Sequence, residues 1–107
     1  MSPILEADWK VFKKIKERAL EKYCLECIAE YTAIMNRSDL SPHERYLLNY
    51  KTVQERDETL ARIFNGLSRS RAFMQLVSIR MNDLADDDLV SQLSEEYRAR
   101  TDPKHFL

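Results

Sequence analysis

A single glycine, Gly66, and three prolines are the only strong backbone breakers in the 107 residues. Glycine reaches positive φ and lets the backbone approach a ligand closely, so loops that cradle phosphates need several of them. One glycine does not build a Walker-type or Rossmann-type nucleotide site. A chain so poor in breakers is expected to run in long helices.

The hydrophobic pattern agrees. Between Leu5 and Met35, the residues Leu5, Trp9, Phe12, Ala19, Leu20, Tyr23, Cys27, Tyr31 and Ile34 fall at helical spacing on one broad face. Lys13, Lys14, Glu17, Arg18, Glu21, Lys22 and Glu26 lie mainly around the rest. This predicts one long amphipathic helix, ended by "NRSDL". The segment "SPHE" then supplies Ser41 as N-cap, Pro42 at the first helical position and Glu44 to complete a capping box. A second long helix follows through Tyr46, Tyr50, Val53, Leu60, Ile63 and Phe64, and stops where Gly66 takes the left-handed conformation after its C-cap.

Ser68 or Ser70 is placed to cap a third helix carrying Ala72, Phe73, Leu76, Val77 and Met81. The run "ADDDLVSQLSEEYRAR" predicts a fourth, with acids in its first turn and a stripe of Leu89, Leu93 and Tyr97. Pro103 closes it and leaves a short tail. No segment alternates apolar and polar residues as a half-buried strand does, and there is no internal repeat. The expected fold is all-α: an antiparallel helical bundle of two long and two shorter helices, one domain over residues 1–102 with a C-terminal tail at 103–107.

Seventeen basic against eighteen acidic residues leave a net charge of −1, so no long-range field favours nucleic acid or an anionic membrane surface. No run approaches the ~20 apolar residues of a membrane span, and "MSPILEADWKVFKK" lacks the basic, apolar and small-residue order of a secretory leader. A cytoplasmic, soluble chain is expected, and two cysteines three apart on one helix suit a reducing compartment.

Four features bear on chemistry. Cys24 and Cys27 have CxxC spacing, but a dithiol site needs a helix N-terminus to lower a thiol pKa, and these lie in mid-helix. Zinc needs four ligands, and neither His43 nor His105 belongs to a ligand-spaced pair. The expectation is core packing, with a thiol switch as the competing reading and no metal or cofactor. Second, Asp57 falls inside the predicted apolar stripe of the second helix. A buried carboxylate demands donors, so a buried polar cluster of Asp57 with Tyr46, Tyr50, Arg69 and Arg80 is expected, and Asp57→Ala is expected to destabilise the fold. Third, Ser68, Arg69, Ser70 and Arg71 suggest a small-anion site at a helix start, against a plain capped turn. Fourth, Asp86, Asp87 and Asp88 lack the EF-hand spacing and fit a helix start.

No serine or cysteine is tied to a histidine by recognisable context, and no catalytic residue is assigned. A DNA-reading third helix is disfavoured by its thin polar face and the adjacent acids. The expected function is therefore a non-catalytic helical protein acting through protein contacts, including contacts with itself as a homodimer. The long helices carry more aromatic residues than two short helices cover. The alternative is a small enzyme or ligand sensor with a polar pocket around Asp57.

Overall fold

The computed structural model describes residues 3–107. Five α-helices follow in order: α1 (Glu6–Met35), α2 (Pro42–Phe64), α3 (Arg69–Met81), α4 (Asp87–Val90) and α5 (Glu95–Arg100), then a 3₁₀ turn (Pro103–Phe106). No strand occurs among the described residues, and the fold is all-α.

The two long helices form an antiparallel hairpin. Its seam is fixed by Arg45 Nη1 donating to the Met35 carbonyl (2.8 Å), by Arg56 paired with Glu30, and by Lys16 donating to the Gly66 carbonyl. The start of α2 is the expected capping box: Ser41 Oγ accepts from the Glu44 amide (3.1 Å), and Glu44 Oε1 accepts from the Ser41 amide (2.9 Å). Two otherwise orphaned amides are satisfied at once. At the other end the backbone leaves the helix at Asn65, which is extended, and Gly66 follows at φ 77°, a conformation that favours glycine.

Helix α3 turns back alongside the first half of α1. Arg69 at its start pairs with Glu6 (3.0 Å), and Lys22 donates to the Asp83 carbonyl just past its end (2.7 Å). Buried Gln75 donates to the carbonyls of Ile63, Asn65 and Gly66, closing the exposed end of α2. Helix α3 itself ends in a Schellman motif: Asp83 sits at φ 56°, its amide donates to the Arg80 carbonyl (3.2 Å), and the Leu84 amide donates to that of Ile79 (3.1 Å). Aspartate tolerates this conformation better than most residues, so no second glycine is needed.

A single fourth helix was the expectation; two short ones stand in its place. In a continuous helix the Ser94 amide would donate to the Val90 carbonyl. Instead it donates to Asp8 Oδ1 (2.7 Å), and Ser94 Oγ donates to Asp8 Oδ2 (2.7 Å). A carboxylate is the stronger acceptor, so the chain breaks at Ser94, whose Oγ accepts from the Tyr97 amide and starts α5. The corner lets Leu89, Val90 and Leu93 all reach the core. The tail is not separate: Phe106 meets the Phe73 ring edge-on at 6.3 Å.

Trp9, Phe12, Ile15 and Ala19 of α1 pack with Ile63 and Phe64 of α2, with Ala72, Leu76 and Ile79 of α3, and with the leucines after it. This body occupies one end of a molecule measuring 54 × 25 × 23 Å. The far half of the α1–α2 hairpin projects from it as an arm.

Along the arm Arg56 holds Glu30 bidentately (2.7 and 2.9 Å) and lowers the Glu30 pKa through hydrogen bonding. Both side chains are more than a third exposed, so solvent limits the pair to about 0.5 kcal/mol. Because the folded pKa is depressed, that contribution is present above the ordinary carboxylate range and lost as pH falls through the Glu30 pKa. Glu30→Gln is expected to melt about 2 °C below wild type at neutral pH, with the difference vanishing in acid melts.

Candidate functional site

Helix α2 is inverted over its first half. Thr52 is buried against α1, and Arg45, Leu48, Asn49, Arg56 and Thr59 are half-buried, mostly polar residues, while Tyr46, Leu47, Tyr50 and Val53 face water. An amphipathic helix ordinarily turns its apolar stripe inward. Here the inner seam is held by polar groups, and Tyr46 and Tyr50 are 67% and 60% exposed. Tyr46, Tyr50 and Val53 are spaced i, i+4, i+7, the spacing of a helical docking stripe.

Helix α1 contributes Met35, 52% exposed, to the same groove, which is lined by Met35, Arg45, Tyr46, Asn49, Tyr50 and Val53. Ile28, exposed and two turns before Met35, shares its face of α1. Among the described residues, no hydrogen bond or ion pair joins residues 24–57 to α3, α4, α5 or the 3₁₀ turn, and of these residues Cys27 and Tyr31 belong to or pack on the core cluster. Two atoms on the groove wall are buried without a partner: Arg45 Nε and Asn49 Oδ1.

The expected buried cluster around Asp57 does not form. Asp57 is exposed, and Tyr46 and Tyr50 are exposed with it. Arg69 lies at the opposite end of the molecule, paired with Glu6 and stacked 5.3 Å from the Trp9 ring centroid. Arg80 donates to the Arg98 carbonyl (2.7 Å) and to Thr101 Oγ1 (2.9 Å), tying α3 to α5. Asp57 shares its face of α2 with Tyr46, Tyr50 and Val53, and that part of the face is exposed, whereas Ile63 and Phe64 further along the helix are buried.

The buried acid is Asp8, 2% exposed. Its spacing to Phe12, Ile15 and Ala19 (four, three, four) puts it on the α1 stripe, which is the signal that could have found it. Beside it lies a cavity of about 130 Å³ bounded by Ile4, Leu5, Asp8, Phe73, Tyr97 and Arg100 among others. The Tyr97 hydroxyl is buried there without a partner, and burial together with the Asp8 charge pushes its pKa up to about 12. Ligand pockets run about 300–1,000 Å³, and this one has room for roughly four waters. It belongs to the corner that Asp8 builds.

Ser68, Arg69, Ser70 and Arg71 form a turn rather than an anion cradle. Ser68 is the N-cap of α3 without a side-chain bond to the helix, and its Oγ lies 3.4 Å from that of Ser70. Arg69 turns to Glu6, whereas Arg71 lies over Gly66. The two guanidiniums do not converge.

Both cysteines are free thiols: Cys27 is buried in the core cluster, and Cys24 is half-buried on the same helix. The Tyr23 hydroxyl donates to the Arg56 carbonyl (2.9 Å), and burial beside Cys27 pushes its pKa up to about 12. Titration of native protein with Ellman's reagent is expected to label Cys24 first and Cys27 at least about tenfold more slowly, as its burial requires. Equal rapid labelling would contradict that packing.

No group of three or more His, Cys, Asp or Glu side chains gathers at metal-binding distance among the described residues. No helix among them is long and apolar enough to cross a membrane. Comparison with family models, with curated proteins and with solved structures finds no match to this chain.

Proposed function

We propose that the chain is a non-catalytic helical module that works through protein contacts, and that the outward stripe of α2 with Met35 is its docking surface. The observation that carries this reading is the inversion of α2: its polar side chains face the hairpin seam, and Tyr46, Tyr50 and Val53 face water. Arg45 and Arg56 hold the seam from the inner side, whereas the exposed apolar stripe gains only when a partner covers it.

The magnitude is adequate. A tyrosine carries about 150–250 Å² of surface, so two of them with Met35 and Val53 leave a patch on the order of 500 Å², the size at which patches mark contact sites. At ~25 cal/mol/Å² its burial yields about 12 kcal/mol gross, most of it offset by the entropy of association. The supply of anchors fits as well, since tyrosine is enriched where contacts are strongest.

A photo-crosslinking residue at Tyr50, in the cell that makes the chain, tests this. Adducts are expected from position 50 and not from Lys14 on the solvent side of the body, and Tyr46→Ser with Val53→Ser is expected to cut their yield at least about tenfold. No adduct at position 50, or equal adducts at both positions, would contradict the proposal.

A further inference from the structure

The two ends of the hairpin are held by different chemistry. In the body Phe12, Ile15, Leu76 and Ile79 are fully buried in one apolar cluster. Over the tip of the arm, residues 32–55, the buried side chains are Ile34 and Thr52, and Ile34 stands outside that cluster. Thr52 Oγ1 donates to the Leu48 carbonyl of its own helix, so it ties nothing across the seam. Among the described residues one hydrogen bond crosses the seam of the tip, from Arg45 to the Met35 carbonyl. The partly exposed Glu30–Arg56 pair stands at the inner edge.

Closing the tip also has a cost. Arg45 Nε and Asn49 Oδ1 are buried at the seam without a partner, and a buried polar atom that makes no hydrogen bond forfeits its hydration. Opening returns both to water. We propose that the tip of the arm is a separate cooperative unit, which unfolds and closes again while the body stays folded. Few buried apolar side chains and a mostly exposed backbone are the physical marks of a segment that opens below the global free energy. Once released, the last turn of α1 and the first half of α2 are at or below the ~12–15 residues at which an isolated helix is marginal in water. Opening therefore melts them and frees their amides.

The docking groove is part of this unit. Its walls come from Met35 of α1 and from Tyr46, Tyr50 and Val53 of α2, so it exists only while the tip is closed. Given the docking surface proposed above, on which this consequence alone rests, a partner that fills the groove holds the tip shut and slows its opening.

Native-state hydrogen exchange on the purified full chain, resolved by amide, tests the unit. Amides over residues 46–55 are expected to exchange at least about a hundredfold faster than those over residues 12–20 and 75–79. They are expected to share one opening free energy that falls with urea, at a slope smaller than the body's because less surface is exposed. Ile79→Val, at a fully buried body position, is expected to speed the body amides roughly fivefold and leave the tip rates unchanged, since the body is intact when the tip opens. Asn49→Leu, which removes the unpaired oxygen, is expected to slow the tip roughly fivefold, and a faster tip would overturn the cost assigned to that atom. Tip and body amides that exchange alike, tip amides indifferent to urea, or Ile79→Val speeding both regions equally would overturn the separate unit. A tip that opens alone, with no adduct at position 50 in the cell, would keep the unit and remove the docking surface. Adducts from a chain whose two regions exchange alike would do the reverse.

Discussion

Asp8→Ala is expected to lower the melting temperature by about 12 °C. The carboxylate accepts from both the amide and the hydroxyl of Ser94 at 2.7 Å, 86 positions away in sequence. Hydrogen bonds to a charged group contribute about 1.5–3 kcal/mol, and the substitution also leaves a partly buried Ser94 amide without an acceptor. Roughly 3 kcal/mol follows, at about 4 °C per kcal/mol for a domain of this size. Asp8→Asn should recover part of the loss, because its carbonyl still accepts and its NH₂ can donate to Ser94 Oγ. Asp57→Ala, by contrast, should stay within about 0.5 kcal/mol of wild type, as exposed substitutions do. Thermal melts of the three variants side by side check the account, and an Asp57→Ala loss equal to that of Asp8→Ala would contradict the assigned burial.

That reversal marks where the sequence was legible. Local rules were enough for the helix ends that carry their own chemistry: the Ser41–Glu44 box and the left-handed Gly66 are both where the spacing puts them. The all-α class follows from the same local signals. The break at Ser94 was hidden because it depends on a carboxylate from the other end of the chain, although Ser94 followed by Glu95 and Glu96 is itself a helix-start signal. Asp83 was hidden because a left-handed aspartate has no compositional mark. The Asp57 stripe was read correctly as a face of α2 but not as an uncovered one, since periodicity tells which residues share a face and not what lies over it.

The second large effect contrasts the body with the arm. Phe12 is fully buried and stacks on Trp9 at 5.8 Å. Phe12→Ala removes its transfer free energy and opens a cavity, costing about 3–5 kcal/mol. Against a total of about 5–15 kcal/mol for a domain, that should lower the urea midpoint severely or leave part of the chain unfolded at 37 °C. Tyr46→Ser with Tyr50→Ser removes as many aromatic carbons as two such substitutions, yet its urea midpoint should correspond to a loss of no more than about 1 kcal/mol, because most of each ring is already exposed. A double variant as unstable as Phe12→Ala would mean that the tyrosines are core.

Photo-crosslinking scanned along the chain, in the cell that makes it, tests the account's central claim, that the outward stripe of α2 is a docking surface. The account predicts adducts from a crosslinker at position 46, 50 or 53, and none from Lys14 or Glu17 on the solvent side of the body. Adducts spread evenly over all five positions, or confined to the two on the body, would contradict it.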